Sequence, residues 1–148
     1  MIKQPSEDEA KMLHSLVEDM IPQSEAYNLP SAGEELIFSD ILNEVRRNFV
    51  LVKEELFALN KMAEEMFGIS YKMLGEDKQN RVSMKFVVGI KKSTIARIVL
   101  QCYYRDDRVM RSLGMEPRPP FPLGHVIDNH DWSLLEVVKK KNKTFRSI

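Results

Sequence analysis

From Glu34 to Phe67 the chain runs without a single proline or glycine. Over that stretch apolar residues recur at three- and four-residue spacing. Leu36, Ile37, Ile41, Leu42 and Val45 make one stripe, and Val52, Leu56, Leu59, Met62, Ala63 and Met66 make another. Such spacing lines one face of an α-helix, and nothing in between interrupts the backbone hydrogen bonds. The two stripes fall out of phase at Arg46-Arg47-Asn48-Phe49, which predicts two helices with a kink or short turn near Asn48. Gly68 then supplies the left-handed residue that commonly ends a helix.

The flanks repeat the pattern. Ser6-x-x-Glu9 is a capping box, in which each side chain satisfies a backbone N–H at a helix start. Behind it Met12, Leu13, Leu16, Val17 and Met20 form a helical stripe that Pro22 stops. Residues 22–33 read as a loop, with Ser31-x-x-Glu34 as a second capping box. A helix opening at Glu76-Asp77 and ending near Gly89 buries Val82, Phe86 and Val87. A last helix runs from Ser93 or Thr94 to Gly114, with Ile95, Ile98, Val99, Cys102, Val109 and Leu113 inward. No stretch alternates with period two for long enough to make a sheet. The expectation is an all-α fold: a compact bundle of about five helices over residues 1–114. Residues 115–148 form an extended C-terminal arm, because Pro117, Pro119, Pro120 and Pro122 favour polyproline-II geometry. The arm carries the only tryptophan and an apolar cluster, so it is composed to lie on a partner or on the helical domain.

Composition excludes several functions. With 22 basic and 22 acidic residues the net charge is zero, which argues against a nucleic-acid partner. The basic run Lys139-Lys140-Lys141-Asn142-Lys143 has no basic helical face elsewhere to extend it. One cysteine, Cys102, rules out an intrachain disulfide and a cysteine-based zinc site. No apolar run reaches the ~20 residues of a membrane-spanning helix. The N-terminus lacks the basic and apolar regions of a secretory signal, so synthesis in the cytoplasm is expected.

Few residues point to chemistry. His125, Asp128 and His130 are the ligand types of a zinc or iron site, but no regular element is expected to hold them in register. Cys102 falls on the apolar phase of its helix, where a thiol serves as a small core hydrophobe. The pairs Glu34-Glu35, Glu54-Glu55 and Glu64-Glu65 read as solvated faces. Catalytic residues are therefore expected to be absent from this chain. Interface chemistry is better represented. Tyr103, Tyr104, Arg105 and Arg108 cluster near the end of the last helix. Arg118, Phe121 and Trp132 follow in the arm, and tyrosine, tryptophan and arginine are the commonest anchors of protein interfaces.

Three stretches resemble a known family, the small subunit (subunit 3) of gluconate 2-dehydrogenase. They are Leu16-Val17-Glu18-Asp19-Met20-Ile21-Pro22 with Pro30-Ser31-Ala32-Gly33, then Phe67-Gly68 through Tyr71 and Leu74 to Glu76-Asp77-Lys78, and finally Tyr103-Tyr104-Arg105-Asp106-Asp107. The resemblance covers roughly residues 10–114. It implies a non-catalytic accessory subunit or assembly factor of a dehydrogenase complex. The chemistry and the FAD would then belong to a larger flavoprotein partner, and this chain would hold no cofactor. Many members carry a twin-arginine export signal that this sequence lacks, so a periplasmic location is expected only if a partner carries the chain. Two other readings fit the residues: a small helical metal-dependent enzyme using His125, Asp128 and His130, and a regulatory or nucleic-acid-binding helical protein.

Overall fold

The computed structural model describes residues 4–89, 92–118, 121, 124 and 131–140. Two compact units divide the chain, Met1–Pro117 and Arg118–Ile148.

The first unit is all-α among its described residues. Its helices are α1 (Glu7–Met20), α2 (Glu35–Arg47), α3 (Phe49–Phe67), α4 (Glu76–Gly89), α5 (Thr94–Tyr103) and α6 (Asp107–Ser112), with a 3-10 turn at Tyr71–Met73. Helix α1 opens on the expected capping box. Ser6 N–H donates to Glu9 Oε2 at 2.8 Å and Glu9 N–H to Ser6 Oγ at 3.2 Å. Gly68 ends α3 with φ +75°, a conformation that costs a side-chain-bearing residue stability.

Helix α3 is the central packing element. It packs on α1, α2, α4 and α5, while α1 also packs on α4 and α2 on α5. The core draws Leu13, Leu16 and Val17 from α1, Ile37, Ile41 and Val45 from α2, and Val52, Leu56, Leu59 and Ala63 from α3. Val82 and Phe86 of α4 and Ile95, Ile98, Val99 and Cys102 of α5 complete it. Burial pushes the Cys102 thiol up from its ordinary value, as befits a core thiol rather than a reactive one. One polar pair is buried inside this shell. Tyr71 Oη lies 2.7 Å from Ser83 Oγ, and burial pushes the Tyr71 phenol up to about 12.

Three local expectations change. Helix α2 is capped by Glu34, whose carboxylate accepts from Leu36 N–H at 3.3 Å, and not by a Ser31 box. Ser31 Oγ instead accepts from Gly33 N–H at 3.0 Å, because the loop there closes onto α1. The Gly33 carbonyl accepts from His14 Nε2–H at 2.9 Å, and a Cβ on Gly33 would come within 2.3 Å of Glu18 Cγ. The last helix is two helices. Asp106 takes the N-cap of α6 by accepting from Arg108 N–H at 2.9 Å and Val109 N–H at 3.4 Å, so the chain turns between Tyr104 and Asp106. Leu113, expected inward, is exposed just beyond α6, and Val87, expected to be buried with Val82 and Phe86, is exposed on α4.

The second unit holds a 3-10 turn at Trp132–Leu135 leading into a single helical turn, Glu136–Lys139. Asp131 starts it by accepting from Ser133 N–H at 3.0 Å, and hydrogen bonding from the Ser133 side chain together with that N–H holds the Asp131 carboxyl below its ordinary value.

A candidate protein-binding cleft

Asn48 separates α2 from α3 and shapes a broad concavity of the first unit. It is the only residue between the two helices, with φ −115° and ψ 23°. Its N–H donates to Val45 O at 3.0 Å and its Nδ2 to Glu44 O at 3.1 Å, so it satisfies the carbonyls that the end of α2 leaves bare. From the other side Arg97 Nη2 of α5 donates to Asn48 Oδ1 at 3.5 Å. The predicted break near Asn48 is thus present, and a side chain pins it.

The cleft formed at this break has a volume of about 960 Å³. Phe49, Val50 and Leu51 give it an apolar floor, and Arg46, Arg47 and Arg105 give it guanidinium groups. Val50 and Leu51 are exposed even though they open a helix whose next residue, Val52, is core. Each arginine rests on a weak local partner. Arg105 Nη2 is 3.4 Å from Asp40 Oδ2, Arg47 Nη1 is 3.0 Å from Glu44 Oε1, and Arg46 Nη1 is 3.1 Å from Asn43 Oδ1. Exposed pairs of this kind contribute about 0–1 kcal/mol. Exchanging Asp40 for a carboxylate on another molecule therefore costs Arg105 little. The lining thus sets an apolar patch beside three guanidinium groups, the Asp40 and Glu44 carboxylates and the Asn43 and Asn48 amides, an arrangement that offers apolar contact with polar groups at its edge.

The residues singled out from the sequence divide among different surroundings. Arg105 lines the cleft. Tyr104 is exposed but does not line it, and its ring packs edge-to-face on Tyr103 at 5.4 Å. Tyr103 itself is core, only 2% exposed, and its hydroxyl donates to Pro30 O at 3.0 Å. It therefore ties the loop before α2 to α5 and presents no anchor to a partner. Arg108 has a similar internal task. Its side chain donates to Asp106 Oδ1 at 3.0 Å, Asp106 Oδ2 at 2.9 Å and Glu34 Oε2 at 2.8 Å, joining α6 to the start of α2. That guanidinium holds the Glu34 and Asp106 carboxyls below the ordinary carboxylate range.

The turn after α5 also breaks the expected helical neighbourhood of Arg105 and Arg108, since they now belong to different elements. In the second unit Arg118 is partly buried, whereas Phe121 is 85% and Trp132 68% exposed. His125, Asp128 and His130 lie outside the described residues. Among the described residues no group of three or more metal-ligating side chains converges, and no helix is long and apolar enough to cross a membrane.

Two features of this region were not singled out in the sequence. Arg46 and Arg47 marked only a phase slip, and their place on the cleft follows from the turn at Asn48. Glu55 was grouped with Glu54 as a solvated pair. In the fold its carboxylate accepts from Ser93 Oγ at 2.6 Å, from Thr94 N–H and from Ile95 N–H at 3.2 Å, capping α5 from α3. Its signal was faint: a carboxylate one residue before the core position Leu56, far in sequence from the helix start it serves.

No family model, curated protein or solved structure matches the chain.

Proposed function

We propose that this chain is a non-catalytic small subunit, or an assembly factor, of a larger oxidoreductase complex, and that it acts by protein–protein contact. The observation that carries the reading is the cleft at Asn48, where exposed Val50 and Leu51 lie beside three arginines whose partners are local: Asp40, Glu44 and Asn43. Desolvating such a floor against a partner favours association, and guanidinium groups at its edge give orientation. The exposed rings of Phe121 and Trp132 offer further anchors. The partner proposed is a flavoprotein dehydrogenase that carries the FAD, as the resemblance implies. Under this reading the chain is made in the cytoplasm and reaches the periplasm only with its partner.

The test is affinity capture of the tagged full chain from its native host, with flavin absorbance as the readout. A stoichiometric flavoprotein is expected. Leu51→Asp with Arg105→Glu, and separately Phe121→Ala with Trp132→Ala, should each release it while the helical circular dichroism stays unchanged. A chain captured without a flavoprotein, or both double variants retaining it, would overturn the proposal.

A further inference from the structure

We propose that the outward face of α3 is a dimer interface whose occupant is the same face of a second copy of this chain, running antiparallel.

Helix α3 buries Val52, Leu56, Leu59 and Ala63. A step of ~100° per residue places Glu54 and Lys61 at the opposite pole, with Val50 and Phe57 on one flank and Leu51 and Ala58 on the other. All six are exposed, Phe57 at 71%. A helix that already buries one stripe ordinarily turns polar residues outward. Here the outward face carries an aromatic ring and three aliphatic side chains around one acid and one base.

Those two charges are lightly held. Glu54 makes no hydrogen bond or ion pair among the described residues, and Lys61 has Glu65 one turn on at 3.8 Å, with both side chains exposed. The other charged groups of α3 are engaged. Lys53 lies 3.4 Å from Glu9, Glu55 caps α5, and Glu64 accepts from Asn60 Nδ2 at 2.7 Å.

Glu54 and Lys61 are two turns apart on one line, which makes the face its own complement. A two-fold axis set between Phe57 and Ala58 brings Glu54 of each copy level with Lys61 of the other, about 5 Å along the helix from the axis. The pair therefore forms twice. The same axis keeps each flank on its own side, so the two Phe57 rings meet on one flank. On the other, Ala58 faces Ala58 and lets the backbones approach. Toward the helix ends the signs continue to match. The acidic close of α3, Glu64 and Glu65, runs toward the second copy's helix start, where the cleft holds three arginines against Asp40 and Glu44 and the macrodipole is positive.

Other occupants fit less well. A parallel pairing sets Glu54 against Glu54 and Lys61 against Lys61. An anionic surface satisfies Lys61 and repels Glu54. The floor of the cleft lies about 10 Å along α3 from the axis, and crossed helices diverge away from their contact point. The inference thus stands beside the proposed flavoprotein contact and does not rest on it.

Sedimentation velocity of the purified full chain, from low to high micromolar concentration, tests this. A concentration-dependent equilibrium between monomer and dimer is expected. Glu54→Lys and Lys61→Glu each turn two attractions into two repulsions and should weaken the dimer roughly tenfold or more. Mixed in equal amounts, the two variants should associate at least as tightly as the native chain, because one then carries lysine and the other glutamate at both positions. Glu54→Lys/Lys61→Glu in a single chain should restore self-association. Phe57→Asp should abolish it with the helical circular dichroism intact. A chain that stays monomeric throughout, a dimer indifferent to the single exchanges, or single variants that do not recover on mixing would each overturn the inference. All of these are read on the chain alone, so their outcome is separate from flavoprotein capture.

Discussion

Glu54 and Glu55 are neighbours of identical chemistry, and the fold predicts opposite consequences for removing them. Glu54 is exposed and has no hydrogen-bond partner among the described residues, whereas Glu55 holds the first turn of α5 through one hydroxyl and two backbone N–H groups. Glu55→Ala leaves those amide donors bare at a half-buried helix start. Loss of a helix cap costs ~0.5–2 kcal/mol, and hydrogen bonds to a charged group are each worth ~1.5–3 kcal/mol. Partial rehydration and the surviving Ser93 Oγ cap on Ala96 N–H, at 2.9 Å, reduce the sum. The expected cost is therefore about 2–4 kcal/mol, equivalent to a fall in Tm of roughly 4–16 °C for a chain of this size. Glu55→Gln keeps an acceptor and should lose about half as much. Glu54→Ala should change stability by less than ~0.5 kcal/mol. Urea unfolding followed by circular dichroism gives all three values from midpoints at a common slope. If Glu55→Ala and Glu54→Ala agree within ~0.5 kcal/mol, the carboxylate does not cap α5. Because α5 leads into the turn that bears Tyr104 and Arg105, such a result would also detach the cleft from its proposed support.

Further expectations concern the buried pair, the Arg108 junction and Gly33. Tyr71→Phe and Ser83→Ala should each cost ~1–3 kcal/mol by orphaning the other hydroxyl, while the double variant should cost less than their sum in a urea-unfolding cycle. The carboxyls of Glu34 and Asp106 are depressed in the folded state, so their contribution is present above the ordinary carboxylate range and is lost as pH falls through their folded values. Stability should accordingly drop below about pH 4, and Arg108→Met should flatten that drop in urea titrations across the acid range. Gly33→Ala forces Glu18 aside, and Gly33→Ala/Glu18→Ala should recover most of the lost stability, since the three atoms nearest the added Cβ all belong to the Glu18 side chain.

Much of the helical framework was legible because its signals are local. The Ser6–Glu9 box, the stop at Pro22, the phase slip at Asn48 and the glycine after Phe67 each act within a turn of where they are read. The all-α class followed from the same periodicity. What escaped notice depends on contacts between distant segments or on charge placement. Asp106-Asp107-Arg108 looks like a continuing polar helix face, yet Asp106 turns its carboxylate back onto the next amides and starts a new helix. Glu34 and Glu55 resembled solvated acids until Arg108 and the start of α5 arrived from 74 and 38–40 residues away. The cleft had no sequence signature beyond the out-of-phase arginines.

The most direct test of the central claim, that this chain supplies contact surface and its partner the reactivity, is a dehydrogenase assay on separated and recombined subunits. Reduction of an artificial electron acceptor would be followed for the purified chain, for the captured flavoprotein freed of it, and for the two together. The account expects no turnover by the chain alone, with activity residing in the flavoprotein and sustained by recombination. Turnover by the isolated chain at a rate comparable to the complex would contradict it.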